Sequence, residues 1–138
     1  MTNPPMPSRH ANIIIGIGAV LMLLAVLLGA FGAHALKTRL SPDMLAVYQT
    51  GVQYHLVHAL GLMLIGVICN MQPNDDAESR ALKLAAIFMG VGVVLFSGSL
   101  YALAITGVSM LGAITPLGGV CFIAAWALVA WQMLRRGK

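Results

Sequence analysis

Charge is what this chain has least of. Asp, Glu, Lys and Arg make up 9% of its 138 residues, against about a quarter in typical soluble domains. Three stretches carry none at all: His10 to Leu36, Met44 to Asn74 and Leu84 to Leu134, which hold 27, 31 and 51 residues. A water-soluble helical domain interleaves charge with hydrophobicity every turn or two, so that class is excluded. No carboxylate pair exists within the stretches for general acid/base work, and no nucleophile–base pairing stands out. Nor does any Gly-rich phosphate loop follow a strand. Cysteine is scarce too: Cys69 and Cys121 lie in or at the end of apolar stretches without a CxxC or His-linked spacing, which excludes a disulfide scaffold. From these absences we expect no enzyme, no cofactor and no metal set.

What is present is hydrophobicity and small residues. The chain is 59% hydrophobic with 15 glycines and a mean hydropathy of +0.90. A helix needs about 20 apolar residues to cross a hydrocarbon core of about 30 Å, and the third stretch is long enough to cross twice. We therefore expect an all-α integral membrane four-helix bundle in the inner membrane, with the lipid bilayer as its first partner. Residues 1–11 form an N-terminal tail, 12–134 a single transmembrane domain, and 135–138 a basic C-terminal tail. The spans run over about 12–36, 44–70, 84–106 and 111–134.

Local signals place the ends. Ser41-Pro42-Asp43 offers a cap, a first-turn proline and an acid at the positive dipole end. Pro73 to Lys83 reads as a polar loop, and Thr106 to Ser109 as a tight uncharged turn. Thr115 then caps a helix with Pro116 in its first position, leaving Met110 to Ile114 as an apolar loop. Free amides at that helix start suit an anion, though a simple cap is the plainer interpretation.

The N-terminal tail, the central loop and the C-terminal tail together carry six of the eight Lys and Arg, so the positive-inside rule puts both termini in the cytoplasm. Trp131, beside the terminal basic cluster, suits an interfacial anchor. The basic residues flank the apolar stretches instead of sharing a face, so nucleic acid is not an expected partner. Arg9, the apolar run and Ala33-His34-Ala35 have the outline of a cleavable signal. That run exceeds the usual length of roughly 7–15 residues, and we expect a retained span.

The polar residues of the spans fall mostly in the half facing away from the termini: His34, then Tyr54, His55 and His58, then Ser97, Ser99 and Tyr101, then Thr115. The other half is nearly pure Leu, Ile, Val, Ala and Gly. At about 100° per residue, Gly51, Tyr54, His55, His58, Gly61 and Leu62 share one stripe of the second span, with Gln49 and Gln53 opposite. Such a stripe points into the bundle, because polar groups in lipid are costly. Ala25, Gly29 and Ala33 in the first span, and Ala85, Gly92, Ser99 and Thr106 in the third, form rows of small residues suited to helix packing. The histidines admit two interpretations: interhelical hydrogen bonds, worth about 0.6 kcal/mol on average, or a ligand or proton site. No carboxylate or cysteine completes a zinc set at the depth of His55 and His58.

Four ordered motifs carry a family likeness: Gly29-Ala-Phe-Gly-Ala-His34-Ala-Leu; Tyr48-Gln-Thr-Gly51 with Tyr54-His55 and His58-Ala; Leu95-Phe-Ser-Gly-Ser-Leu-Tyr101; and Ile114-Thr-Pro-Leu-Gly-Gly119 with Ala125-Trp126. In these the chain resembles the YgdD/YwdK family of small multi-spanning bacterial inner-membrane proteins, over about Gly29 to Ala130. The resemblance implies four membrane helices and argues against signal cleavage. It brings no catalytic residue, because the family is one of unknown function.

Three functions fit these residues. The first is a non-enzymatic packing or accessory protein, as a homo-oligomer or within a larger membrane complex. Next comes a small oligomeric transporter or channel; the chain matches small multidrug-resistance transporters in size alone and lacks their intramembrane acid. Last is a haem, metal or quinone site built from His34, His55 and His58.

Overall fold

The computed structural model describes residues 9–71 and 76–135, and within these the side chains from residue 80 onward in the second part. Residues 1–8 of the expected N-terminal tail, residues 73–75 of the expected acidic loop and the last three residues of the expected basic tail lie outside the described residues, while residues 9–11, expected in the tail, begin the first helix.

Helix α1, Arg9–Phe31, runs without a break into a π turn, Gly32–Leu36. There the chain reverses: the amides of Arg39 and Leu40 both donate to the Leu36 carbonyl at 2.9 Å. Helix α2, Pro42–Asn70, begins with Ser41 Oγ accepting from the Met44 amide at 3.3 Å, with Pro42 and Asp43 in the first turn. These satisfy an orphan amide, match the fixed proline φ and complement the helix dipole. Helix α3, Asp76–Gly92, passes through a second π turn, Val93–Ser97, into α4, Gly98–Thr106. Gly107 stops it at φ 71°, in the left-handed region that favours glycine, and donates to the Leu103 carbonyl at 2.8 Å. A 3₁₀ turn, Ser109–Ala113, leads to α5, Thr115–Arg135.

These elements make four rods long and apolar enough to cross a membrane: Arg9–Leu36, Pro42–Asn70, Arg80–Thr106 and Ser109–Arg135, of 28, 29, 27 and 27 residues. Each exceeds the roughly 20 residues that crossing requires, so the rods tilt or extend into the headgroups.

Three local expectations need correction. The polar loop expected over Pro73 to Lys83 is helical from Asp76 onward, because the segment from Ala77 to Lys83 is rich in strong helix formers. The stretch from Met110 to Ile114, expected as a loop, is largely a 3₁₀ turn. And neither π turn was legible in the sequence.

Helix α2 is the centre of the assembly. It packs along α1 on one side and against α3 and α4 on the other, while α5 lies against α3. Close approach to α1 rests on glycines at both ends. A β-carbon on Gly18 would meet Met63 and the Ala59 carbonyl, and one on Gly66 would meet Ile15 and the Ala11 carbonyl. Without a side chain the two backbones come close enough for dispersion to hold them in lipid. The buried face of α1 is Ala11, Gly18, Ala25 and Gly32, every seventh residue. The row expected there differs: Ala25 is buried and Gly29 half-buried, but Ala33 is exposed. In the third rod Ala85, Gly92 and Ser99 are buried and Thr106 is exposed.

The main core joins Leu62 and Ile65 of α2, Leu82, Ala85 and Met89 of α3, and Phe122, Ala125 and Val129 of α5. A smaller cluster of Leu36, Tyr48 and Ala104 closes the far end. The half expected to be apolar also holds some polar groups: Asn70 Nδ2 donates to Asn12 Oδ1 at 3.2 Å, and Gln132 is buried. At the end of α5 the Arg135 guanidinium lies 4.5 Å from the centre of the Trp131 ring.

Candidate functional site

Stripe residues of α2 at Gly51, His55, His58, Gly61 and Leu62 are all buried, as helical spacing requires. The exposed amides of Gln49 and Gln53 lie off this stripe. Around it two groups of side chains meet.

The first group is hydrogen-bonded. Tyr48, fully buried, donates from its hydroxyl to the Leu28 carbonyl of α1 at 2.9 Å. Its ring lies 4.9 Å from that of Tyr101, and the Tyr101 hydroxyl pairs with His55 Nδ1 at 3.2 Å. The imidazole of His55 also lies close to the Leu21 carbonyl of α1, but Nε2 makes no hydrogen bond among the described residues. Tyr48 and His55 are seven apart on α2, and Leu28 and Leu21 are seven apart on α1. In antiparallel helices equal steps keep both pairs in register.

The second group is stacked. His58 lies face to face with Phe122 of α5, centroids 3.5 Å apart and planes 15° from parallel, with Trp126 at 6.2 Å. Tyr54 stacks on Phe96 at 4.2 Å and on His58 at 5.6 Å. The His58 Nδ1 is 2.7 Å from the Tyr54 carbonyl. A carbonyl can only accept, so Nδ1 carries the hydrogen of the neutral ring.

Glycines seat these rings. A β-carbon on Gly32 would come within 2.5 Å of the Tyr48 ring, on Gly51 within 2.9 Å of Tyr101, on Gly92 within 2.5 Å of Phe122, and on Gly61 within 3.0 Å of Trp126.

Of the eight residues singled out from sequence, the structure joins seven into interhelical or ring contacts or buries them. His55 and His58 are 4% and 5% exposed. Ser99 donates to the Phe96 carbonyl at 2.9 Å and pairs with Thr115 Oγ1 at 2.8 Å. The single hydrogen of Ser99 is then used, so Thr115 donates, tying α4 to the start of α5. Thr115 is the first residue of α5 and not its cap as its sequence context suggests, and its hydroxyl is engaged across the bundle. Ser97, at the end of the second π turn, is fully buried with no hydrogen-bond partner among the described residues. Tyr54, expected to face inward, is 41% exposed even though its ring stacks on Phe96 and His58. The eighth, His34, is exposed on the first π turn and takes no part in the hydrogen bonds above. Among the described residues no three His, Cys, Asp or Glu converge to hold a metal.

Tyr48, Phe96 and Trp126 stand in the family motifs but were not singled out for the site, and Phe122 was not singled out at all. Tyr48 was within reach, one heptad before His55 on the same stripe. The α5 aromatics gave no signal, because apolar rings in an apolar span look alike whether they face lipid or the bundle.

Clefts lined by described residues open elsewhere. One of about 110 Å³ lies over Tyr48, lined by Gly29, Gly32, Val52, Gln49 and Gln53. Another, of about 480 Å³, lies between α1 and α3. Neither is lined by His55 or His58.

Residues 28–119, which hold all of this site except Leu21 and the α5 rings Phe122 and Trp126, match the family described as "Protein of unknown function (DUF423)". The chain belongs to the DUF423 family. This DUF423 protein is 48% identical to UPF0382 membrane protein YwdK of Bacillus subtilis over 118 residues, 86% of this chain and 93% of that one. It is 43% identical to UPF0382 membrane protein SH2409 of Staphylococcus haemolyticus, covering 86% and 92%. With UPF0382 inner membrane protein YgdD of Escherichia coli K12 it shares 34% over 139 residues, 96% of this chain and 97% of that one. No solved structure matches the chain. With four apolar membrane-length helices, the DUF423 protein is a multi-pass protein of the inner membrane.

Proposed function

We propose that this DUF423 protein is a non-enzymatic packing or accessory protein of a larger inner-membrane complex. One observation carries the proposal: the two buried histidines that a transporter or redox site would use are packed against rings of neighbouring helices. The ring of His58 is covered by Phe122 and Tyr54, and His55 is bonded to Tyr101. By contrast α1 buries little of itself and presents Ile17, Val20, Leu23, Leu24, Leu27 and Phe31 outward, a face available to other helices. The deciding experiment is isolation of the native chain in a mild detergent, with mass measurement and identification of what travels with it. We expect a stoichiometric companion or a defined oligomer. A strictly monomeric chain that brings nothing along overturns the accessory role.

We also propose that both termini face the cytoplasm. Six of the eight Lys and Arg lie on that side, and Arg135 sits at the end of α5 against the interfacial ring of Trp131. A cysteine placed at Thr38 is then labelled by an impermeant maleimide in intact spheroplasts. Labelling only after lysis reverses the orientation.

A further inference from the structure

We propose that the groove between α1 and α3 binds an acyl chain of an anionic phospholipid, with the lipid phosphate held by Lys83 at its mouth. Both α1 and α3 pack against α2 but stand apart from each other, and Leu62 of α2 forms the floor between them. Ile13 and Ile17 make one wall, Ile87 and Val91 the other, enclosing about 480 Å³. Gly90 keeps the second wall low: a side chain there would meet nothing within 4 Å. Lys83 and His10 line the same end of the groove, and its described lining holds no carboxylate. Arg9 and Arg80, one residue before His10 and three before Lys83, are exposed at that end as well.

An apolar groove does not choose among occupants in a bilayer, because acyl chains are as apolar as leucine. Cations at the mouth do choose. A lysine with its stem along apolar surface presents its ammonium at headgroup level, where it attracts anionic lipid. Length favours a lipid over a transmembrane partner. From Lys83 to Val91 the groove follows α3 for about 12 Å, whereas a second helix would pack along most of a hydrocarbon core of about 30 Å. This site stands independently of the accessory role, and lipid binding by a chain without protein partners would leave it intact.

The test is native mass spectrometry of the full chain, titrated with phosphatidylglycerol and phosphatidylcholine of identical acyl composition. The wild type retains phosphatidylglycerol preferentially. Lys83→Gln lowers that affinity about fivefold, the factor for one interfacial lysine, and leaves phosphatidylcholine unchanged. Gly90→Leu, which extends into open space and so spares the fold, weakens both lipids. Equal retention of the two lipids by the wild type, or no effect of Lys83→Gln, overturns the proposal. So does a dimer or a co-isolated protein that Gly90→Leu dissociates, since the groove then belongs to a helix.

Discussion

His58 and Phe122 lie as parallel plates, ring centres 3.5 Å apart, with Gly92 leaving the space that the Phe122 ring fills. The imidazole here acts as a flat aromatic body whose Nδ1 hydrogen is committed to its own helix. Replacing His58 by Phe retains the plate and loses one hydrogen bond, so we expect a change of about 0.6 kcal/mol. His58→Ala leaves a void against Phe122 and Trp126 and costs about 2–4 kcal/mol. Reversible unfolding in mixed micelles checks both. Equal losses from the two variants would mean that the imidazole, and not its shape, matters.

The seating of Phe122 gives a second expectation. Gly92→Leu places atoms where the ring lies and costs about 1–3 kcal/mol. Gly90→Ala, two residues away and facing open space, gains up to about 1 kcal/mol from helix propensity alone. Thermal melts in detergent separate the two.

Tyr48 pins α1 through the Leu28 carbonyl, and Gly32 makes room for its ring. Tyr48→Phe removes the hydrogen bond and costs about 0.6 kcal/mol. Gly32→Leu pushes the ring aside and loosens that end of α1. A β-carbon on Gly29 would lie 3.3 Å from Val52 Cγ1, so cysteines replacing these two residues report it: the disulfide forms readily in the parent and slowly with Gly32→Leu. Unchanged crosslinking would show that α1 is held elsewhere.

Ser97 offers a sharper case. Its buried hydroxyl has no partner among the described residues, so Ser97→Ala removes a desolvated polar group and leaves stability unchanged or raised by about 1 kcal/mol. A loss larger than that in chemical denaturation would reveal a water or ligand bound to the hydroxyl.

Much of the fold was legible. The long uncharged stretches define four crossings, because an uncompensated charge does not persist in hydrocarbon. The stripe on α2 follows from helical geometry at Gly51, His55, His58, Gly61 and Leu62, which are buried, and at Gln49 and Gln53, which are exposed, but not at Tyr54, expected inward and yet exposed. Less was legible of the site. His34 shares a leaflet with His55 in any linear reckoning, yet the π turn that carries it leaves it exposed.

What the amino-acid order determined by itself is therefore what depends on near neighbours and solvent: crossing lengths, capped ends, and which face of α2 turns inward. Tertiary structure decided which groups meet. It brought Tyr48 and not His34 to the polar cluster, drew Phe122 onto His58, and left α1 and α3 apart over Leu62. The reason is that helix register in lipid is set by where small residues let two backbones approach, as at Gly18 with Ala59 and Gly66 with Ala11. Those pairings join distant positions, and no local period along the chain encodes them.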